Sequence, residues 1–169
     1  SLGVLDATNP CGEIPLLPYE SCNLTSLDLN RHLVKNKKGE WEIDWEDLEK
    51  SIKLGIRFLD DMIEVNTYAL DEIRQMVKEG NRRIGLGVMG FAHMLYRMHI
   101  PYDSDEAVRV AERIAKFMRK KAEEASIELG KVRGPFPHFD ISIYAGTSER
   151  YRNCAVLMIA PTGTISLFA

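Results

Sequence analysis

Hydrophobic residues between positions 45 and 63 recur at three- and four-residue steps, the period of an amphipathic helix. Asp44 precedes this run and predicts its N-cap, with acidic residues following in the first turn, where they complement the helix dipole. We expect a core-facing helix. Its acidic residues Asp60, Asp61 and Glu64 lack an accompanying Glu-x-x-His pattern, so we expect a solvated face there rather than metal ligands. The apolar stripe comprises Trp45, Leu48, Ile52, Gly55, Ile56, Leu59, Met62 and Ile63.

A second, shorter helix is predicted over residues 70–79, with Gly80 placed to end it. The longest helix is predicted over residues 103–129. Asp103 and Glu106 have the spacing of a capping box at its start, and Gly130 is placed to end it. Its basic residues predict a solvated outer face.

Two stretches predict strands. Residues 23–29 alternate polar and apolar side chains, which is typical of a half-buried strand with Leu24 on one face. Residues 153–160 are nearly all apolar, which predicts a strand buried on both faces of a parallel sheet, with Cys154 as a structural residue. Residues 14–18 are broken by two prolines and do not form a central strand. The expected fold class is α/β and helix-rich.

Composition narrows the class of protein. The chain has 169 residues, 45% hydrophobic and 28% charged, which fits one soluble domain or a piece of one. A net charge of −3 gives no basic footprint for nucleic acid. The sequence predicts neither a signal peptide nor a membrane-spanning segment. Three cysteines without regular spacing fit neither a disulfide framework nor a zinc site. A cytoplasmic protein with reduced or redox-active thiols is expected.

The candidate chemistry lies near the start of the chain, in Asn9, Pro10, Cys11, Gly12 and Glu13. The proline and the glycine predict a tight, shaped loop rather than a helix or regular strand. The amide, thiol and carboxylate are spaced two residues apart. An extended arc would therefore point all three the same way.

Four stretches carry a resemblance to a known family. Residues 9–16 (NPCGEIPL) and 20–27 (ESCNLTSL) resemble the finger loop of the ribonucleotide reductase large (catalytic) subunit. Residues 82–90 (RRIGLGVMG) resemble its central strand-to-helix segment, and residues 160–166 (APTGTIS) its substrate-phosphate loop. The Asn-Pro-Cys-Gly-Glu form, with a second cysteine eleven residues later, most resembles the adenosylcobalamin-dependent class II branch.

The resemblance implies a fold. Residues 1–169 would be a single partial domain, an internal fragment of the family's ten-stranded α/β barrel. It would contain the finger loop, residues 9–22, and the start of the second half-barrel, up to the phosphate-binding loop, residues 160–166. The chain reaches the finger loop within a few residues and stops just after the phosphate loop, which agrees with a fragment.

The resemblance also implies roles. Cys11 would be the thiyl radical that abstracts the 3′-hydrogen of the ribose. Glu13 would accept the 3′-hydroxyl proton, and Asn9 would hydrogen-bond the sugar hydroxyls. Cys22 would be one half of a redox disulfide whose partner lies in the N-terminal half of the barrel. Phosphate binding would fall to Pro161, Thr162, Gly163, Thr164 and Ile165, mainly through backbone N–H groups; no metal ligands are implied.

Ligands and partners follow from the same resemblance. They are a ribonucleotide substrate, adenosylcobalamin, an external dithiol reductant of the thioredoxin type, and the rest of the polypeptide or subunit. The activity would be reduction of ribonucleotides to deoxyribonucleotides for DNA synthesis. Nucleic acid and membrane are not expected partners. The fragment alone is expected to be inactive.

The string Gly85-x-Gly87-x-x-Gly90 also matches a dinucleotide fingerprint. The preceding apolar strand is too short and no acidic residue follows at the required distance, so we reject a nucleotide-binding Rossmann site. These glycines instead predict close backbone approach to a neighbouring element.

Two other classes of function stay open. Cys11 could be an ordinary nucleophile in a different thiol enzyme, which would need a histidine base, and His32 is the nearest in sequence. The chain could also be a non-catalytic helical packing or interaction module of a split subunit.

Overall fold

The computed structural model describes residues 3–169, so the first two residues of the predicted domain lie outside the described part. The described chain contains short strands and four α-helices. In chain order the elements are β1 (Ala7–Thr8), β2 (Pro15–Leu16), β3 (Asn23–Asp28), β4 (Leu33–Lys35), β5 (Trp41–Ile43), α1 (Trp45–Val65), α2 (Asp71–Met76), β6 (Ile84–Met89), α3 (Phe91–Arg97) and α4 (Asp105–Arg133).

The centre of the fold is a parallel strand pair. β3 pairs with β6 from Asn23 opposite Ile84 to Asp28 opposite Met89, and α1 lies in the crossover between them. Parallel strands need such a crossover, usually helical. The strand predicted over residues 23–29 is confirmed. β1 pairs with β2, and β4 with β5, as short antiparallel hairpins.

The strand predicted over residues 153–160 is only partly formed. The amides of Ile84 and Leu86 donate to the carbonyls of Ala155 and Val156, and one parallel bridge joins Leu86 to Leu157. This segment therefore lies along the second edge of β6. The prediction that this segment is buried on both faces is wrong for its later part, because the side chain of Ile159 is 64% exposed. Within the described chain no strand pairs with the outer edge of this segment. It therefore lacks the second row of backbone hydrogen bonds that would hold it as a regular strand.

α1 and α4 cover one face of the strand pair and form the core with it. The apolar stripe predicted for α1 is confirmed except at Met62, which is 38% exposed. At the start of α1, Asp44 caps the helix through the amide of Asp47, as predicted. The ring of Trp45 packs edge-on against Phe117 of α4. Core side chains from the helices and β6 include Leu48, Ile52, Ile56, Leu59, Ile63, Ile84, Leu86, Val110, Ile114 and Met118.

α4 starts and ends differently from the prediction. Ser104, not Asp103, caps it, because the Ser104 hydroxyl accepts from the amide of Ala107. The helix also passes through Gly130 and continues to Arg133. Gly130 is needed there for space, since a Cβ at this position would lie 1.8 Å from the carbonyl oxygen of Arg150.

α2 is shorter than predicted. It ends at Met76 and continues as a single π-helical turn, Val77–Asn81. Arg82, in the left-handed region at φ 49°, ends the turn instead of Gly80. Gly80 lies inside the turn, where a Cβ would come within 2.7 Å of the His138 ring.

Asp60 corrects the prediction of a solvated acidic face on α1. Its side chain is fully buried and accepts hydrogen bonds from Arg82, Arg133, Arg152 and Asn153. Burial alone would raise the pKa of Asp60, but these arginines outweigh it and hold the pKa below its ordinary value. The carboxylate therefore ties α1 to the end of α4 and to the strand edge, which is a structural role.

The predicted α/β, helix-rich fold class is confirmed by this arrangement. Among residues 3–169, no group of three or more histidine, cysteine or acidic side chains could hold a metal ion. None of the described helices combines the length and the apolar character needed to cross a membrane.

Candidate active site

The finger loop is a tight hairpin tip between β1 and β2. The amide of Asn9 donates to the carbonyl of Ile14 at 3.2 Å, and the amide of Ile14 donates to Oδ1 of Asn9 at 3.1 Å. The amide of Gly12 donates to the carbonyl of Asn9 at 3.0 Å, which closes a four-residue turn. Gly12 has φ +79°, a conformation that favours glycine. The predicted shaped loop is confirmed, but the extended arc is wrong.

The three functional groups of this tip therefore differ in exposure. Cys11 is exposed at the apex, while Asn9 and Glu13 are half-buried at its two sides. Oε2 of Glu13 is buried and has no hydrogen-bond partner within the described chain. Because Oδ1 of Asn9 binds the loop's own backbone, only the NH2 group of its amide is left to face a ligand.

A buried carboxylate anchors the base of the hairpin. Oε2 of Glu20 accepts from the amide of Leu17 at 3.1 Å. Oε1 of Glu20 accepts from Nδ2 of Asn81 at 2.7 Å and from Nε of Arg83 at 2.9 Å. Asn81 in turn contacts Nδ1 of His138 at 3.0 Å. Glu20 thus joins the finger loop to the start of β6.

Cys22 lies just before β3, on the sheet face that carries Gly85. Its Sγ donates weakly to the carbonyl of Asn23 at 3.6 Å and lies 3.4 Å from where a Cβ of Gly85 would be. Burial raises the pKa of the Cys22 thiol to about 12, against the opposing charge of Arg83. Burial likewise raises the pKa of the Cys154 thiol to about 11.

The close approach predicted for the β6 glycines is confirmed. A Cβ at Gly85 would lie 2.5 Å from Cδ2 of Leu24 and 2.6 Å from Cβ of Met158. A Cβ at Gly87 would lie 2.3 Å from the carbonyl oxygen of Met158. β6 is therefore tightly enclosed by its two neighbours on the face that carries Cys22.

The predicted phosphate loop, residues 160–166, is an irregular segment at the other end of the strand pair. Thr162 has φ 59°, and Ile165–Leu167 form a short 3-10 turn. The amides of Gly163, Thr164 and Ile165 donate no hydrogen bond within the described chain. Pro161 is exposed, and Thr162 is half-buried.

A cavity of about 180 Å³ lies beside this loop, lined by Asp28, Met89, Gly90, Phe91, His93 and Ser166. Asp28 and Met89 end β3 and β6, so the loop meets the carboxyl ends of the strands. Cys22 lies at the opposite end of β3, roughly 20 Å away along a six-residue strand. In residues 3–169 no hydrogen bond or ion pair joins this loop to the finger loop.

His32 does not support a cysteine–histidine nucleophile. Its Nδ1 lies 2.6 Å from Oδ2 of Asp47, at the first turn of α1. It follows the carboxyl end of β3, the far end from Cys22 and the finger loop.

Sequence reasoning assigned no role to Glu20, Asn81, Arg83 or His138. Glu20 and Arg83 lie within the family-like stretches, but their pairing needs the register of β3 against β6. The alternation of side chains into β6 is the signal that could have indicated Arg83: this residue directly precedes the strand and shares a face with Gly85 and Gly87, whereas Arg82 points to the other.

Comparison with known proteins decides the family. The family described as "Ribonucleotide reductase, barrel domain" matches residues 1–151. The chain belongs to the ribonucleotide reductase family. The predicted origin in the reductase α/β barrel is thereby confirmed.

Curated relatives agree along the whole chain. A "Vitamin B12-dependent ribonucleoside-diphosphate reductase" of Mycobacterium tuberculosis is 48% identical over 167 residues, covering 99% of this chain and 23% of that protein. The protein of the same name from Thermoplasma acidophilum is 43% identical over 169 residues, covering 100% of this chain and 21% of that protein. The chain thus spans less than a quarter of the length of these relatives.

The fold agrees with a solved reductase. The Actinobacillus ureae class Id ribonucleotide reductase alpha subunit superposes with a TM-score of 0.76 at 28% identity, covering 96% of this chain and 29% of that one. A subunit that is not named for vitamin B12 thus shares this fold, so the fold itself does not indicate dependence on vitamin B12.

Proposed function

We propose that this chain is the part of a ribonucleotide reductase catalytic barrel that carries the radical cysteine, one redox cysteine and a substrate-phosphate loop. The observation that supports this best is the hairpin tip, with Cys11 exposed at its apex and a buried, unpartnered Oε2 of Glu13 beside it. An unpaired buried carboxylate oxygen is costly, and a substrate hydroxyl would satisfy it.

The exposure of Cys11 at the hairpin tip supports a role in hydrogen-atom transfer. As a thiyl radical it would take the hydrogen atom from C3′ of the ribose, giving an S–H bond and a carbon radical. Glu13 would accept the 3′-hydroxyl proton, which assists loss of the 2′-hydroxyl as water once a redox thiol has given that hydroxyl a proton. Asn9 would donate a hydrogen bond from Nδ2 to a sugar hydroxyl, because its Oδ1 is held by Ile14.

Cys22 would supply one of the two thiols that reduce the sugar. Two thiols become one disulfide as the ribonucleotide gains two electrons and two protons and releases water. The partner thiol would lie in another part of the polypeptide. An external dithiol of the thioredoxin type would then restore both thiols by disulfide exchange.

Residues 160–166 would hold the substrate phosphates. Three successive unpaired amides, those of Gly163, Thr164 and Ile165, are suited to an anion. If residues 160–166 bind the phosphates, the substrate must extend from the carboxyl ends of β3 and β6 toward the hairpin tip that carries Cys11. The substrate is expected to be a ribonucleoside diphosphate or triphosphate.

Adenosylcobalamin is proposed as the radical source because two relatives are named for vitamin B12. The described residues do not form a pocket that fits it. An apolar groove of about 550 Å³ beside α4 and β6 offers almost no polar group to orient a corrin ring. The groups that hold the cofactor would therefore lie in other parts of the polypeptide.

The isolated chain is proposed to be inactive, because it lacks the second redox thiol and most of the barrel. Its principal partner would be the rest of the polypeptide or subunit. A cytoplasmic location is proposed because the dithiol chemistry needs a reducing compartment. No observation favours nucleic acid or a membrane as a partner.

The test uses the complete polypeptide that carries these residues, as wild type and as Cys11→Ser. Deoxynucleotide formation would be assayed with a dithiol, with and without adenosylcobalamin. We expect cobalamin-dependent product that disappears in Cys11→Ser. Product without cobalamin would refute the cofactor, and product retained in Cys11→Ser would refute the radical residue. Cys154→Ser is the matched control and should keep the activity.

A further inference from the structure

The register of three neighbouring backbone segments brings two thiols to either side of one arginine. Asn23 pairs with Ile84, so Cys22 lies opposite Arg83 on one side of β6. The amide of Ile84 donates to the carbonyl of Ala155, so Cys154 lies beside Arg83 on the other side. The order across the sheet is Cys22, Arg83, Cys154.

The side chain of Cys22 points to the face that Arg83 occupies. Sγ of Cys22 lies 3.4 Å from the Cβ position of Gly85. Arg83 directly precedes β6 and lies two residues before Gly85, so the two residues share a face. Arg83 is itself fixed, since its Nε donates to Oε1 of Glu20 at 2.9 Å and the Glu20 side chain is fully buried.

Among the described residues, four charged or titratable groups act most strongly on Cys22. Arg83 is the cation, and Cys154, Glu20 and Glu13 are the groups whose charge opposes a thiolate. Burial is the largest obstacle to ionisation of Cys22, and Arg83 is the group that offsets it. Without Arg83, burial and the carboxylates of Glu20 and Glu13 would all raise the pKa of the Cys22 thiol with no cation to oppose them.

We propose that Arg83, held in place by Glu20, is the positioning residue that stabilises the thiolate of Cys22 and thereby sets its rate of thiol–disulfide exchange. This rests on the redox role of Cys22 proposed above, and it assigns that role an electrostatic partner. When the external dithiol reduces the disulfide of Cys22, the dithiol's thiolate attacks the partner sulfur and Cys22 leaves as the thiolate that Arg83 stabilises. With a disulfide probe the same step runs in reverse: Cys22 loses its proton to solvent and its thiolate attacks one sulfur of the probe. A mixed disulfide forms, and the second sulfur leaves as a thiolate.

A direct Cys22–Cys154 disulfide does not fit this arrangement. The two residues flank β6, so they are separated by two inter-strand spacings of about 4.8 Å each. That exceeds the roughly 7 Å limit on the Cα separation of a disulfide. Cys154 is instead a competitor for the charge of Arg83, and its replacement should make Cys22 easier to ionise.

The experiment uses the 169-residue chain carrying Cys11→Ser and Cys154→Ser, so that Cys22 is the single thiol. The rate of Cys22 reaction with dithiodipyridine would be measured as a function of pH. Arg83→Met should slow the reaction about tenfold, which corresponds to a rise of one pKa unit. Arg83→Lys should stay within about threefold of the parent, since the charge is kept.

Glu20→Gln separates electrostatics from structure. It keeps the shape and an acceptor for Arg83 but removes a negative charge, so it should accelerate the reaction several-fold. A purely structural Glu20–Arg83 pair would instead give changes of the same sign in both variants, because either would open the same site. Same-sign changes, or an Arg83→Met rate within twofold of the parent, would overturn the proposal.

Two controls secure the result. Circular dichroism and the thermal midpoint would show that each variant folds, and in concentrated urea all variants should react at one rate. If Arg83→Met does not fold, Arg83→Lys and Glu20→Gln decide together: acceleration in Glu20→Gln with Arg83→Lys within about threefold of the parent supports the proposal, whereas acceleration beyond that in both variants, or slowing or no change in Glu20→Gln, overturns it. Because the assay needs no reductase activity, its outcome is independent of whether the complete polypeptide forms deoxynucleotides.

Discussion

Nη2 of Arg82 donates to Oδ1 of Asp60 at 2.8 Å, and the side chains are 2% and 0% exposed. Arg133 and Arg152 reach the other oxygen of the same carboxylate. A buried ion pair stabilises a fold only when its remaining hydrogen-bonding groups are satisfied, and here the carboxylate has several donors. This cluster joins α1 to the residues that lead into β6.

Removing the charge of Asp60 should strongly destabilise the chain. Asp60→Asn leaves buried guanidinium groups without their carboxylate, which costs about 3 kcal/mol or more. Urea unfolding followed by circular dichroism measures this. Asp61→Asn is the matched control: its side chain is 46% exposed, and the loss should stay below about 1 kcal/mol. Equal losses in the two variants would contradict the structural role of Asp60.

The same carboxylate predicts acid sensitivity. Because the folded pKa of Asp60 lies below its ordinary value of 3.8, ionised Asp60 stabilises the fold fully above that value. The stabilisation is lost as the pH falls below 3.8 toward the folded pKa. The free energy of unfolding, measured from about pH 6 to about pH 3, should fall less steeply in Asp60→Asn than in wild type. If the free energy of unfolding depends on pH in the same way in both proteins, the lowered pKa of Asp60 is contradicted.

The helical period was enough to predict α1 and its core stripe, because a single face decides which residues are buried. It was not enough for Asp60, which lies at the border of that stripe. Its burial depends on Arg133 and Arg152, which are distant in sequence and reach it only after α4 has packed. A charge pattern within one helix carries no information about such partners.

Helix capping gives a second test. Ser104→Ala removes the hydroxyl that accepts from the amide of Ala107, and should destabilise the chain by about 1 kcal/mol. Asp103→Ala, the neighbouring exposed residue, should have no measurable effect on the thermal midpoint. The reverse order of effects would restore Asp103 as the cap.

Close packing along β6 gives a third test. Gly87→Ala would place a methyl group 2.3 Å from the carbonyl oxygen of Met158, so the segment after Cys154 must shift. Overpacking of this kind costs about 1–3 kcal/mol. Gly146→Ala is the matched control, because no atom lies within 4 Å of its Cβ position. Equal thermal midpoints for the two variants would show that β6 tolerates the added methyl group.

The candidate site was predictable in part. Proline and glycine around Cys11 were enough to predict a shaped loop, because they restrict the backbone locally. The orientation of Asn9 and Glu13 was not predictable, since it follows from the turn closed by Gly12. The contact between Glu20 and Arg83 spans 63 positions and depends on strand register. Long-range pairing of this kind is not encoded in any local pattern.

The three thiols should differ sharply in reactivity. Cys11 is exposed, whereas burial raises the pKa values of Cys22 and Cys154 to about 12 and about 11. At pH 8 the thiolate fractions of these two half-buried cysteines are then roughly one in ten thousand and one in a thousand.

Because alkylation requires the thiolate, iodoacetamide should label Cys11 at least tenfold faster than either half-buried cysteine at about pH 8. Mass spectrometry of peptides from the labelled chain measures the three rates. Cys11→Ser should abolish the fast phase and leave the slow labelling unchanged. Fast labelling of Cys22 in that variant would mean that its thiol is neither enclosed nor hard to ionise. Fast labelling of Cys22 would also mean that its thiolate does not need stabilisation by Arg83.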